Sequence, residues 1–137
     1  TEKDVVRKSR PELANSEKTA LFLSIHTNSV DGNETANGIE TWGKLETSKP
    51  LAGVTDKSFA QNVQNAVIQK TGARDRGTKN SVELTVLKYS AMPSILVEVG
   101  FITNTNERGN MFSDAYRNKL AQGIADGVLK TFSDMGV

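Results

Sequence analysis

The sequence predicts an α/β domain with a mostly parallel or mixed sheet flanked by helices. Two segments of strand length, 20–26 and 94–101, are almost continuously apolar. This pattern is typical of strands that lie in a parallel sheet and are covered on both faces. Segments with apolar residues at helical spacing separate and follow them. Apolar strands that alternate with helices indicate a layered α/β architecture.

The N-terminal part predicts a helix followed by the first strand. Pro11 and Glu12 predict a short helix over about 10–18, because proline suits the first turn and an early acidic residue suits a helix N-terminus. The apolar strand 20–26 follows this helix. We expect this strand to end at His26.

The middle of the chain predicts a loop, a second strand and a long helix. The stretch 28–37 is rich in Asn, Asp, Gly, Ser and Thr and predicts a polar loop. Alternation over 38–42 predicts a half-buried strand. Ser48 and Pro50 signal the start of a long helix, which Gly72 ends.

The C-terminal part contains the second apolar strand. The polar and charged stretch 73–89 predicts a loop that is followed by a brief strand. Pro93 precedes the apolar strand 94–101. A short helix begins within 103–107, and Ser113 caps a final amphipathic helix.

Length and composition limit the possible functions. The 137 residues suit one domain, and 17 Lys and Arg against 16 Asp and Glu leave a formal net charge of +1. This balance argues against a nucleic-acid footprint or a polybasic membrane anchor. There is no cysteine, which excludes disulfides, thiolate zinc sites and thiol nucleophiles. The sequence has neither a signal-peptide core nor an apolar span, so we expect a processed or trimmed piece with no membrane partner.

Two polar residues lie near the carboxyl ends of the apolar strands, where open α/β sheets place their ligand sites. His26, the single histidine, is either a metal ligand or a core histidine that is hydrogen-bonded to the backbone. Glu98 interrupts an apolar strand, and burying its charge is costly unless it is paired. It is either in an ion pair, for instance with Arg74 or Arg76, or a catalytic acid or base tuned by burial.

His26 and Glu98 together form a coherent site. A metal at His26 would polarise a carbonyl and bind a water, and Glu98 could take the proton of that water and return it to a leaving amine. Glu40 and Trp42 either face a substrate or are a surface carboxylate and a packed indole, which alternation fits at least as well. Arg74, Arg76 and Lys79 either bind an anionic or carboxylate-bearing ligand or, more commonly for such a sequence, form a solvated charged loop. The Asn-rich loop after His26 either lines a cleft or is a surface excursion.

Two motifs carry a resemblance to a known family. The family is the zinc-dependent N-acetylmuramoyl-L-alanine amidases. Its Ser-Ile-His-x-Asn segment resembles residues 22–28, FLSIHTN. Its Pro-x-x-Leu-Val-Glu-x-Gly-Phe-x-x-Asn segment resembles residues 92–104, MPSILVEVGFITN. Shorter matches in family order extend the resemblance over essentially the whole chain. They lie at 10–15, 38–41 and 76–77, the last ahead of 86–87.

The resemblance implies a bacterial peptidoglycan hydrolase, or autolysin. Such enzymes use one zinc ion to activate water for attack on the amide between N-acetylmuramic acid and the L-alanine of the stem peptide. His26 corresponds to a zinc ligand and Glu98 to the catalytic acid/base. The implied partner is peptidoglycan, with no nucleic acid or membrane, and the implied location is extracellular, in the cell wall or periplasm of a bacterium.

The resemblance also implies that residues 1–137 are a partial catalytic domain. The family begins with a strand that ends in a Gly-His-Gly-type zinc ligand and a helix with a zinc-binding glutamate, and we expect these ligands upstream. Glu2 is not assigned as a ligand, because ungapped counting places it at a different acidic position of the family pattern. We expect an exposed sheet edge, with marginal stability, self-association or a missing companion segment, and a fragment that is inactive alone. The alternative is a non-catalytic peptidoglycan-binding or regulatory module with the same fold.

Overall fold

The computed structural model describes residues 2–137, with side chains from residue 6 onward, and it confirms the predicted α/β class. The elements are α1 (Glu2–Ser16), β1 (Phe22–Asn28), β2 (Ile39–Gly43), α2 (Asp56–Thr71), β3 (Asp75–Asn80), α3 (Thr85–Lys88), β4 (Ser94–Phe101), α4 (Thr105–Met111) and α5 (Asp114–Asp134).

The four described strands form one mixed sheet in the order β1-β4-β2-β3. β1 runs parallel to β4, β2 runs antiparallel to β4, and β3 runs parallel to β2. The two apolar strands of the sequence are therefore neighbours. Because these two strands are parallel, their carboxyl ends lie side by side at the same end of the sheet, as the sequence predicts.

Helices cover both faces of the sheet. On one face, α2 and α5 pack closely, since Cβ atoms added at Gly123 and Gly127 would lie within 3.0 Å of the α2 backbone. On the other face, α3 and α1 contact each other beside a smaller apolar cluster. The larger core contains Ile39, Val54, Phe59, Ala60, Val63, Val67, Ile95, Val97, Val99 and Leu120. The smaller cluster contains Val86, Leu87 and Leu96.

Two helices begin elsewhere than predicted. α1 begins at Glu2, with Pro11 buried inside it. Proline has no backbone N–H, so the helix lacks one hydrogen bond at this position. α2 begins at Asp56, because Thr55 and Ser58 form a capping box there. Its predicted end is confirmed, since Gly72 adopts a left-handed φ of 67°.

The stretch 73–89 differs most from the prediction. The predicted loop contains β3, whose charged sequence has no apolar alternation because β3 lies at a sheet edge and pairs only with β2. The predicted brief strand is the helical turn α3, which buries Val86 and Leu87. The helices α4 and α5 are confirmed, with caps at Asn104 and Ser113.

β1 lies at the opposite edge of the described sheet. It continues past His26 to Asn28, and its predicted coverage on both faces is wrong within the described residues, because Ile25 is 58% exposed. Ile25, Val99 and Leu120 border an apolar groove between β1 and α5. The expected exposed edge and apolar surface are thus present. Among residues 2–137, no helix has the length and apolar character that crossing a bilayer requires.

Candidate functional site

Three titratable side chains form a row across the middle of the sheet. His26 on β1 pairs in register with Glu98 on β4, and Glu98 pairs in register with Glu40 on β2. Residues that pair in register point to the same face of a sheet. The structure therefore brings the predicted residues His26 and Glu98 together, and it adds Glu40 as a second carboxylate beside them.

Glu98 is half-buried and has no partner for one of its oxygens. Oε2 of Glu98 is buried and accepts no hydrogen bond from the described residues. Burial, and secondarily the charge of Glu40, raises the pKa of Glu98 to about 7. The alternative of an ion pair with Arg74 or Arg76 is wrong, because Arg76 pairs with Glu40 instead.

Glu40 is the partnered carboxylate of the row. It is only 4% exposed, so the interpretation as a surface carboxylate is wrong. Its Oε1 accepts from Nδ2 of Asn28 at 3.0 Å and from Nε1 of Trp42 at 3.1 Å. Its Oε2 accepts from Nε of Arg76 at 2.9 Å. Three donors, one of them cationic, therefore satisfy both oxygens of Glu40 beside Glu98.

His26 is suited to act as a neutral ligand. Burial, followed by the charges of Arg10 and Arg7, lowers the pKa of His26 below its usual value. The imidazole is therefore neutral at pH 7, and a metal binds the neutral form. The described residues form no hydrogen bond with this side chain, so the alternative of a core histidine bound to backbone has no support there.

The row borders an open cleft of about 550 Å³ between α1 and α3. Arg7 and Arg10 of α1 line one wall, and His26 and Glu98 lie on the sheet beneath. The remaining lining residues are Glu83, Leu84, Thr85, Val86 and Leu96. The cleft is therefore lined by an imidazole, two carboxyl groups and two guanidinium groups.

The described residues do not form a complete metal site. No group of three His, Cys, Asp or Glu side chains that could hold a metal ion occurs among them. A catalytic zinc needs about three protein ligands and an open position. His26 fits as one of these ligands. Glu2, which was not assigned as a ligand, lies outside the residues whose side chains the structure describes.

The other candidate residues have structural partners or lie apart from the row. Arg76 stacks over the Phe101 ring at 4.9 Å in addition to binding Glu40, and Arg74 is exposed. Lys79 belongs to the edge strand β3. The Asn-rich loop is tied to the end of β4, where Nδ2 of Asn104 donates to the carbonyl of residue 34.

Sequence reasoning missed the role of Glu40 and the arginines of α1. The motif Gly-Ile-Glu-Thr already placed Glu40 on a strand, but the burial of that strand was not visible. Arg7 and Arg10 are separated by one helical turn, a spacing that places them on one face. The predicted helix covered only about 10–18 and left out Arg7, so the spacing of the two arginines on one helix face was not recognised.

Comparison with known proteins gives a consistent family match. Residues 1–130 match the family model described as N-acetylmuramoyl-L-alanine amidase. The chain is 38% identical over 123 residues to the N-acetylmuramoyl-L-alanine amidase LytC of Bacillus subtilis, covering 90% of this chain and 24% of that protein. It is 36% identical to the uncharacterized protein YqiI of the same species, covering 84% of this chain and 52% of that protein. The chain thus spans about half or less of these relatives.

Solved structures show the same fold. An N-acetylmuramoyl-L-alanine amidase from Clostridium difficile 630 matches with a TM-score of 0.82 at 36% identity, over 93% of this chain and 65% of that one. The catalytic domain of CwlV, an N-acetylmuramoyl-L-alanine amidase from Bacillus (Paenibacillus) polymyxa var. colistinus, matches with a TM-score of 0.81 at 33% identity. It is covered to 65%, and this chain to 93%.

Proposed function

The chain belongs to the N-acetylmuramoyl-L-alanine amidase family, and we propose that it forms part of a catalytic domain that hydrolyses peptidoglycan. The reaction adds water across the amide between the lactyl group of N-acetylmuramic acid and L-alanine. It yields the lactyl carboxylate and a stem peptide with a free amino group. Two further relatives, from Bacillus anthracis and Staphylococcus epidermidis, are named as an uncharacterized and a probable cell wall amidase, which supports an extracellular, wall or periplasmic location in a bacterium.

The observation that carries this proposal is the unpartnered carboxyl of Glu98 beside His26. A general acid/base works best when its pKa lies near the operating pH, and burial beside Glu40 places the pKa of Glu98 at about 7. In the proposed reaction, Glu98 takes the proton of the attacking water. It then delivers this proton to the nitrogen of the leaving amine as the C–N bond breaks.

His26 is proposed as one ligand of a single zinc ion. When bound, zinc would supply Lewis-acid polarisation and lower the pKa of a bound water. The described residues contribute one imidazole, so we propose that the remaining ligands come from a part of the natural protein outside residues 1–137. On this proposal, the 137-residue chain is an incomplete catalytic domain with little activity alone.

The remaining residues of the row have supporting roles. Asn28, Trp42 and Arg76 hold the carboxylate of Glu40 in place, and its negative charge disfavours the anionic form of Glu98. Leu96 and Val86 line the cleft with apolar surface, which reduces solvation near the carboxyl group. The non-catalytic alternative is not favoured, because relatives named by function include N-acetylmuramoyl-L-alanine amidases of Bacillus subtilis and Bacillus licheniformis.

The proposal is tested by product analysis. Purified sacculi are incubated with the complete natural protein and zinc, and the soluble products are separated by mass. We expect stem peptides with a new N-terminal L-alanine, together with glycan strands that retain the lactyl carboxylate. Binding to sacculi without release of stem peptides would instead support the non-catalytic module.

A further inference from the structure

Two arginines of α1 line the cleft. Arg7 and Arg10 border it together with His26 and Glu98, and both are exposed to solvent. Among the side chains of residues 6–137, no acidic group forms an ion pair with either of them. Within that part of the chain, both positive charges face the cleft without a counter-charge.

Two of the described carboxyl groups line the cleft, and neither pairs with these arginines. Glu83 pairs with Lys88 at 3.3 Å. Glu98 has a buried oxygen that accepts no hydrogen bond from the described residues. The charge on the α1 wall is thus uncompensated by the side chains described around the cleft.

The position of α1 is fixed by contacts that do not involve the arginines. Nδ2 of Asn15 donates to the carbonyl of Tyr89 at 2.7 Å, and Oδ1 of Asn15 accepts from the backbone N–H of Ala91 at 2.9 Å. Lys8 lies over the Tyr89 ring at 4.8 Å and pairs with Glu12. These contacts hold the helix and leave the neighbouring face, with both guanidinium groups, directed to the cleft.

Two cations beside a metal ligand are electrostatically unfavourable unless an anion joins them. Both guanidinium groups line the same cleft as His26, so they would repel a divalent cation bound there. An anionic ligand in the cleft would offset this repulsion. A carboxylate suits the site best, since guanidinium groups match its planar geometry.

We infer that Arg7 and Arg10 recognise a carboxylate on the peptide arm of the substrate. This inference rests on the proposed function and specifies which part of the substrate lies along α1. In a muramoyl peptide, the lactyl carboxyl group is consumed in the scissile amide, so the sugar carries no charge there. The peptide arm starts at that amide and ends in a carboxylate, so its negative charge lies within reach of the same cleft.

The test compares two ligands on the complete natural protein. One is a synthetic N-acetylmuramoyl peptide with free carboxylates, and the other is the same peptide with its carboxylates converted to carboxamides. Calorimetry on the metal-free protein measures affinity, and KM for each peptide is measured with zinc present. We expect the free acid to bind about tenfold more tightly, and added salt to reduce this preference.

Variants separate charge recognition from folding. Arg7→Gln with Arg10→Gln should abolish the preference, and Arg7→Lys with Arg10→Lys should restore part of it. Lys8→Gln is the matched control on the same helix and should retain the full preference. Circular dichroism checks that all variants keep the helix content of the wild type.

The outcomes distinguish this inference from the proposed function. Equal KM for the two peptides, or an undiminished preference in the double glutamine variant, would overturn the carboxylate site while amidase activity stands. An equal loss of affinity for both peptides in that variant would overturn it as well. Failure to cleave either peptide would overturn the proposed function, and the substrate assignment with it.

Discussion

Arg76 pairs with Glu40 and leaves Glu98 without an ionic partner, although both carboxyl groups lie on the same face of neighbouring strands. Nε of Arg76 lies 2.9 Å from Oε2 of Glu40, whereas Oε2 of Glu98 is buried and unpartnered within the described residues. One carboxyl group is therefore hydrogen-bonded to a cation, whereas burial raises the pKa of its neighbour Glu98 to about 7. A carboxyl group whose pKa is raised by burial is a recurrent feature of acid/base catalysis.

Replacing the unpartnered carboxyl should remove the proton transfer while preserving the fold. In the complete natural protein, Glu98→Gln is expected to lower kcat by about 10²–10⁴, the range for loss of a general acid or base. Glu46→Gln, at an exposed loop position, is the control and should leave kcat unchanged. The measurement is release of stem peptides from sacculi, and near-normal turnover of Glu98→Gln would refute its role.

The raised pKa of Glu98 also predicts a pH-dependent stability. The carboxyl titrates near 4.5 when unfolded and at about 7 in the folded protein, so folding favours its protonated form. This contribution is complete below the unfolded pKa and is lost as the pH rises through the folded value. Metal-free Glu98→Gln should therefore gain stability relative to wild type between pH 4.5 and pH 8.

Thermal unfolding of the metal-free proteins at several pH values provides the measurement. The Tm of Glu98→Gln minus that of wild type should increase across this pH range. The exposed Glu46→Gln control should show no such trend. A difference in Tm that stays constant from pH 4.5 to pH 8 would show that Glu98 titrates normally.

The Arg76–Glu40 pair should be a stabilising contact. Arg76→Gln leaves the carboxylate of Glu40 with only the neutral donors Asn28 and Trp42, and Glu40 is buried. We expect a loss of about 1–3 kcal/mol in the free energy of unfolding, as for other hydrogen bonds to charged groups. Urea denaturation measures this loss, with the exposed Arg74→Gln as the control. An equal effect of both substitutions would contradict the importance of the pair.

The sequence identifies Glu98 as a buried residue of the site but does not identify Glu40, and the reason is physical. A carboxylate inside a continuous apolar strand is anomalous at the level of sequence alone. Glu40 lies in an alternating segment, and alternation is equally compatible with a face in water and with a face covered by other elements. Only the position of β2 between β4 and β3, with Asn28 and Arg76 brought from distant segments, makes Glu40 buried.

The errors in secondary structure have similar causes. β3 contains only polar residues and glycine, because an edge strand gains its hydrogen bonds from β2 and needs no apolar face. α1 contains a buried Pro11, although proline by itself favours a helix start at that position. β4 was predictable because its apolar sequence matches a strand in which seven of eight residues are buried. The apolar sequence of β1 predicted a strand correctly but not its burial, because β1 lies at a sheet edge and leaves Ile25 exposed.

Zinc titration tests whether His26 belongs to a larger ligand set. The 137-residue chain contains one histidine, and its described residues hold no group of three ligands, so we expect weak, non-stoichiometric binding in calorimetry. The complete natural protein should bind one zinc ion tightly. In that protein, His26→Gln should weaken binding by more than about 100-fold, since even loss of an outer-shell partner costs about 10–100-fold. Tight one-to-one binding by the 137-residue chain would refute the incomplete site, whereas unchanged affinity in His26→Gln would refute the ligand assignment.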